Sequence, residues 1–249
     1  MLLYIPFDIK NVVCSYFYNL KDTINLYNLN KDHQDNIIIT NLYDITVIYL
    51  NRLNQQIIEQ NKYRHLEKLC ANDNKQIKNV NHMKKTLKLL HCAGYNCGID
   101  QNGISQLNLI ELYASGNKKI KNVNHMKETL KMLSCGDYCG IDQEGISQLN
   151  LIKLNAEDNR GIKNVNHMKK TLKRLNCGWN CGIDQNGISE LNLIELEASG
   201  NERIKNVNHM KNTLKILYCC SICGIDQNGI SELNLIKLYR FANEKVKEI

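Results

Sequence analysis

Leu109–Met126 reads LIELYASGNKKIKNVNHM. Counted from Leu109, its leucines stand at places one and four, Ala114 at six, Asn117 at nine, Ile120 at twelve and Val123 at fifteen. Leu112 and Ala114 are two apart, the spacing that puts both on one face of a short strand. An asparagine suits the turn that follows. Its amide can donate to and accept from backbone groups that would otherwise be buried unpaired. Ile120 and Val123 then line the return path.

Working outward, the pattern recurs to the end of the chain. Coils begin at Leu66, Leu87, Leu109, Leu130, Leu151, Leu172, Leu193, Leu214 and Leu235, every step being 21 residues except the 22 from Leu87 to Leu109. Two coil types alternate. One reads LxxLxAxxNxxIxxVxxM, as at Leu193–Met210; the other reads LxxLxCxxxCxI followed by GIS and a leucine, as at Leu172–Leu191. Such a coil is short for a return helix, so a turn or a 3₁₀ segment is expected there. No coil buries its leucines alone, and stacking buries them jointly.

This register resembles the leucine-rich repeat. The resemblance implies an α/β fold class: a solenoid over residues 66–249 with a parallel sheet on its concave face and turns or 3₁₀ segments on its convex face. Residues 45–65 read as a transition or capping segment. Ile45, Ile48 and Leu50 stand 21 residues before Leu66, Leu69 and Ala71, which predicts a degenerate first coil, or else a helix over residues 45–61 packed on its end. At the other end, Leu235, Leu238, Val246 and Ile249 open a coil that the sequence does not complete, which predicts fraying or self-association there.

Residues 1–44 carry no repeat. Phe7–Tyr18 and Asp22–Leu29 read as two short helices, with Pro6 at a helix entry and Asp22 as a cap. Ile5-Pro6, Asp8-Ile9, Val12-Val13, Ser15-Tyr16-Phe17, Asp22, Leu26, Leu29 and Lys31 together resemble an F-box; the aromatic that usually follows the basic residue is absent, Lys31 leading into DHQDN. The F-box resemblance implies docking to the small adaptor subunit of a cullin-type ubiquitin ligase through Ile5, Pro6, Ile9, Val13, Tyr16, Phe17, Leu20 and Ile24. As a whole the chain resembles F-box/leucine-rich-repeat proteins, and its Asn-rich doublets resemble those encoded by giant DNA viruses.

Composition narrows the function classes. The net charge is +7 and is spread along the chain, with no Lys/Arg block. No apolar run reaches the ~18 residues of a membrane span. The N-terminus lacks a basic leader, and Pro6, Asp8 and Lys10 interrupt its apolar start. The expectation is a protein inside the host cell, in cytoplasm or nucleus, and not secreted.

The repeated polar residues read as structural. Eleven cysteines recur largely in phase, as at Cys97, Cys139, Cys181 and Cys223, each 42 residues apart. Matched positions lie two rungs apart, about 10 Å at ~4.8 Å per rung. That is too far for a disulfide or a shared zinc ion. The histidines of the NHM segments, His82, His125, His167 and His209, are equally spread and read as turn residues. Lysine ladders run beside them, without the interleaved aromatics that single-stranded nucleic acids stack on, and read as a solvated flank. No metal, cofactor or catalytic constellation is expected.

Where the coils differ is more informative. IKNVNHMK and CGIDQNGIS are nearly copied from coil to coil, whereas the outward strand positions vary. Those positions predict a target-binding concave face built from Glu111, Tyr113, Lys153, Asn155, Glu157, Arg174, Glu195, Glu197, Tyr218, Tyr239 and Phe241, with Trp179 on its rim. Drift should also have altered the exposed Asn, His and Lys of the returning segments. The expected function is a non-enzymatic adaptor that captures a protein target and recruits a ligase. The competing readings are a plain binding or decoy module whose N-terminal helices only cap the solenoid, and a polyanion scaffold using the lysine flank.

Overall fold

The computed structural model describes residues 40–42 and 53–247. Ile5, Pro6, Ile9, Val13, Tyr16, Phe17, Leu20 and Ile24, and with them the F-box-like segment, lie outside the described residues. The fold divides after Ile110 into two compact units. The first holds strands β1 (Asn41–Leu42), β2 (Lys68–Cys70) and β3 (Leu89–His91), paired parallel in chain order. The second holds β4 (Glu111–Tyr113), β5 (Met132–Ser134), β6 (Lys153–Asn155), β7 (Arg174–Asn176), β8 (Glu195–Glu197), β9 (Ile216–Tyr218) and β10 (Lys237–Tyr239). These too pair parallel, each with the next.

Each strand is only three residues long in the repeats because its middle residue alone must face inward. Leu112, Leu133, Leu154, Leu175, Leu196 and Leu217 stand in line and are buried. Full burial of a leucine is worth about 1.5–3 kcal/mol. Each return path from β2 to β9 carries a 3₁₀ turn, such as Asn166–Met168 and Asn186–Ile188, whose Met168 and Ile188 close the core from the other side. Both units are therefore leucine-rich-repeat solenoids, as the register predicts. In the last coil Leu235 and Leu238 are half-buried, while Val246 is buried.

The asparagine ladder joins strand, turn and return. The buried Asn159 donates from Nδ2 to the carbonyls of Cys135 (2.7 Å) and Ile141 (2.9 Å), both in the preceding coil. Its Oδ1 accepts from the N–H of Gly161 (2.9 Å) and Ile162 (3.3 Å). Asn201 repeats this toward Cys177 and Ile183, and Asn243 toward Cys219 and Ile225.

The repeated glycines are required by close approach rather than by backbone handedness. A Cβ on Gly187 would lie 2.2 Å from the Lys163 carbonyl oxygen, and one on Gly145 would lie 2.1 Å from that of Lys121. The GIS glycine thus lets one coil seat directly on the backbone of its neighbour.

The first coil departs from the expected register. Leu42, not Ile48, stands beside Leu69, so the opening strand begins earlier than the 21-residue offset predicts. Its return half is Leu53–Ile58, where a short helix α1 (Gln55–Ile58) takes the place of a 3₁₀ turn. Asn54 caps α1 by accepting from the Ile57 N–H, and the Leu53 carbonyl accepts from Asn74 Nδ2 as Ile141 does from Asn159. Gln55 Oε1 accepts from the N–H groups of Lys78 and Asn79, the bonds Gln143 makes to Lys163 and Asn164. The coil is thus longer than the repeats but keeps their hydrogen bonds.

Two substitutions test this frame. Asn159→Ala strands two buried carbonyls and two N–H groups and should cost about 3 kcal/mol or more. Gly187→Ala should cost roughly 1–3 kcal/mol through overpacking against the Lys163 carbonyl. Urea unfolding of each variant measures both, and a midpoint equal to wild type for either would contradict the bonding described.

Candidate protein-binding surface

Because side chains alternate along a strand, the residues flanking each buried leucine emerge on the open face of the sheet. In the second unit they form two rows. One runs Glu111, Met132, Lys153, Arg174, Glu195, Ile216, Lys237; the other runs Tyr113, Ser134, Asn155, Asn176, Glu197, Tyr218, Tyr239. Glu157 and Phe241 continue past their strands. Eleven of the residues singled out from the sequence thus stand in these rows or directly after them.

The face is crossed by contacts between coils. Arg174 pairs with Glu195 at 3.3 Å, and Asn176 Nδ2 donates to Glu157 Oε2 at 3.1 Å. Tyr113 OH donates to Glu111 Oε2 at 3.1 Å. Glu197 accepts from the Ser199 N–H at 2.8 Å, yet partial burial raises its pKa, and the carboxylates of Glu157 and Glu195 add to the rise. Beside it Tyr218 and Tyr239 stack with ring centroids 4.3 Å apart and planes within 3°. A shallow depression of about 260 Å³ lies over the middle of the face, lined in part by Asn155, Arg174, Glu197 and Tyr218. Acid, guanidinium and aromatic ring thus lie within one patch.

Trp179 occupies the turn after β7, is 46% exposed, and has a left-handed backbone at φ 55°. Its ring lies on Gly200, where a Cβ would come within 2.7 Å of it. The same turn in the neighbouring cysteine-bearing coils presents Tyr138 and Ile222, also exposed, with the Arg160 guanidinium 5.5 Å over the Tyr138 ring. These two were missed in the sequence reading. Their signal was present: both fall between the paired cysteines, where Trp179 does.

The internal ladders are engaged in holding the coils. His82, His167 and His209 place Nε2 3.2 Å from the carbonyls of Ile58, Ile146 and Ile188. Burial lowers the His167 pKa, partly offset by that carbonyl. Among the described residues no group of His, Cys, Asp and Glu is placed to hold a metal ion. The ten described cysteines are free thiols. Burial pushes the Cys181 thiol up to about 11 and that of Cys219 to about 12. Lys169 and Lys211 pair with Glu190 and Glu232 of the next coil, and Lys84 and Lys127 donate to Gln106 and Gln148. This lysine ladder is tied down coil to coil. Among the described residues no helix is long and apolar enough to cross a membrane.

No protein-family model matches the chain, and no curated protein matches it. Among solved structures it is similar to a chain of the yeast Rad7 and Elc1 complex, at 16% identity and a TM-score of 0.49, over 96% of this chain and 70% of that one. A likeness at that level carries no conclusion about partners.

Two measurements check the internal ladders. Between its lowered folded value and about 6.5, His167 holds a proton in the unfolded chain but not in the folded one. The stability it contributes is therefore present above that window and lost as pH falls through it. The urea midpoint should drop on acidification from about pH 7 to about pH 5.5, and less so in His167→Gln. Thiol titration near pH 8 should be slow for the native protein and prompt after unfolding, with nearly all cysteines reduced in freshly made protein. A defined disulfide set would contradict the geometry.

Proposed function

We propose that this chain is a non-enzymatic protein–protein interaction adaptor. The open strand face of the second unit captures a protein target, and the F-box-like N-terminal segment recruits a cullin-type ubiquitin ligase through its small adaptor subunit. The carrying observation is the distribution of variation within the chain. Segments that hold coil to coil are near copies, while the residues that differ gather on one face. Those residues include Tyr113, Arg174, Tyr218 and Trp179, of the types that anchor protein interfaces. The recruitment half rests on the resemblance of Ile5 to Lys31 alone.

The two halves should fail separately. Replacing Tyr113, Arg174, Trp179 and Tyr218 by alanine leaves the buried leucines and asparagines untouched, so the fold should survive. Target affinity should fall by at least about tenfold, since a central anchor is worth ~2 kcal/mol or more. Replacing Pro6 and Phe17 by alanine should abolish binding of the ligase adaptor and leave target capture intact. Both are read by affinity measurement on the full chain, with targets identified by affinity mass spectrometry from the host cell. Wild-type affinity in the strand-face variant removes the capture site. A wild-type chain that does not bind the ligase adaptor leaves a plain binding module.

A further inference from the structure

The residue just before each strand forms a second regular surface, at the N-terminal rim of the sheet. In the second unit it alternates Lys131, Ile152, Lys173, Ile194, Lys215, Ile236. Backbone hydrogen bonds of 2.8–2.9 Å join each of these residues to the next, so the row is as rigid as the sheet it borders. The isoleucines take no part in the core, which Leu151 and Leu154 or their equivalents already fill, and they are 49%, 44% and 73% exposed. The lysines are half-buried, and among the described residues none of their ammonium groups makes an ion pair. Unlike the strand face, this row alternates without exception along the second unit. The adjoining strand positions from Lys153 to Lys237 add three cations, Lys153, Arg174 and Lys237, against the one carboxylate of Glu195.

Spacing and charge together select an occupant. Rungs are about 4.8 Å apart, so like residues recur at roughly 9.6 Å. An α-helix lying along the row repeats every two turns, roughly 10.5 Å for seven residues, with one turn at about 5.4 Å. An aliphatic residue of that helix would sit among the isoleucines once per heptad, and residues one turn further on would face the lysines. The charge there must be negative. A lipid surface fits less well: membrane binding scales with buried apolar area, and this apolar row is one residue wide beside exposed Asn150, Asn192 and Asn234.

We infer that the alternating isoleucine–lysine row is a docking track for an amphipathic helix of a partner protein, aliphatic at every seventh position and acidic one turn on. It borders the target-binding face, whose Lys153 and Arg174 add to its charge, but the row itself, Lys131 to Ile236, is made of other residues.

The test uses the full chain and a synthetic three-heptad peptide, locked helical by side-chain bridges on its outer face, with leucine once per heptad and glutamates three and four residues later. Calorimetry should show binding, and a scrambled peptide of equal composition should bind at least about tenfold more weakly. The triple variant Lys131→Glu, Lys173→Glu, Lys215→Glu should lose at least about tenfold for the patterned peptide. It should gain affinity for a peptide carrying lysine in place of glutamate. Ile152→Ser with Ile194→Ser should weaken both peptides equally. Unchanged thermal unfolding of the variants separates loss of docking from loss of fold. Three results would overturn the inference: equal binding of patterned and scrambled peptides, no binding up to about 1 mM, or lysine-dependent binding of phosphatidylserine vesicles without peptide binding.

Discussion

A buried asparagine with all its hydrogen-bonding capacity in use is the constraint on which the stack depends. Where each strand ends, the chain must turn inside the protein, and two carbonyls of the preceding coil and two N–H groups of its own are left without partners. Asn159 satisfies all four. Asparagine offers two donors and a two-lone-pair acceptor in one plane. An aspartate in its place would set a carboxylate against two carbonyl oxygens, and a leucine would leave all four groups unpaired. The bonds to the preceding coil also set the register between coils, so the buried leucines follow in line.

With register set from inside, the surface divides by how far each position is constrained. The return paths are copied because they bear on a neighbouring coil: His167 on the Ile146 carbonyl, Gly187 under the Lys163 carbonyl, Gln185 on the N–H groups of Lys205 and Asn206. The outward strand positions meet across coils at the surface, through side-chain pairs such as Arg174 with Glu195, and there the chain varies. The N-terminal rim is a third case. Its isoleucines are both copied and exposed, although the core has no use for them.

The thiols and imidazoles follow the same logic. In another setting they would read as reactive or metal-binding groups. Here burial raises the thiol pKa values, and the backbone supplies partners, as the Asn117 carbonyl does for the Cys139 thiol at 3.3 Å. A small apolar side chain with a weak donor suits a tight turn beside a carbonyl.

The sequence by itself determined the strand positions, the coil boundaries from Leu66 onward and the side of the sheet on which Glu111, Tyr113 and Arg174 emerge. A spacing of two across a strand and a repeat of 21 leave one way to bury the leucines. Only the tertiary structure decided what each coil does to its neighbour. The first coil escaped the periodicity because it keeps the repeat's hydrogen bonds while abandoning its length, so Leu42 rather than Ile48 meets Leu69. Tyr138 and Ile222 stand in the same turn as Trp179 because like coils recur two rungs apart, a relation between residues 41 and 43 apart in the chain. The isoleucine–lysine row was hidden for the same reason. Each Ile lies beside a leucine in sequence and reads as core, and only the stacking of coils turns it to solvent next to the lysine of the coil before.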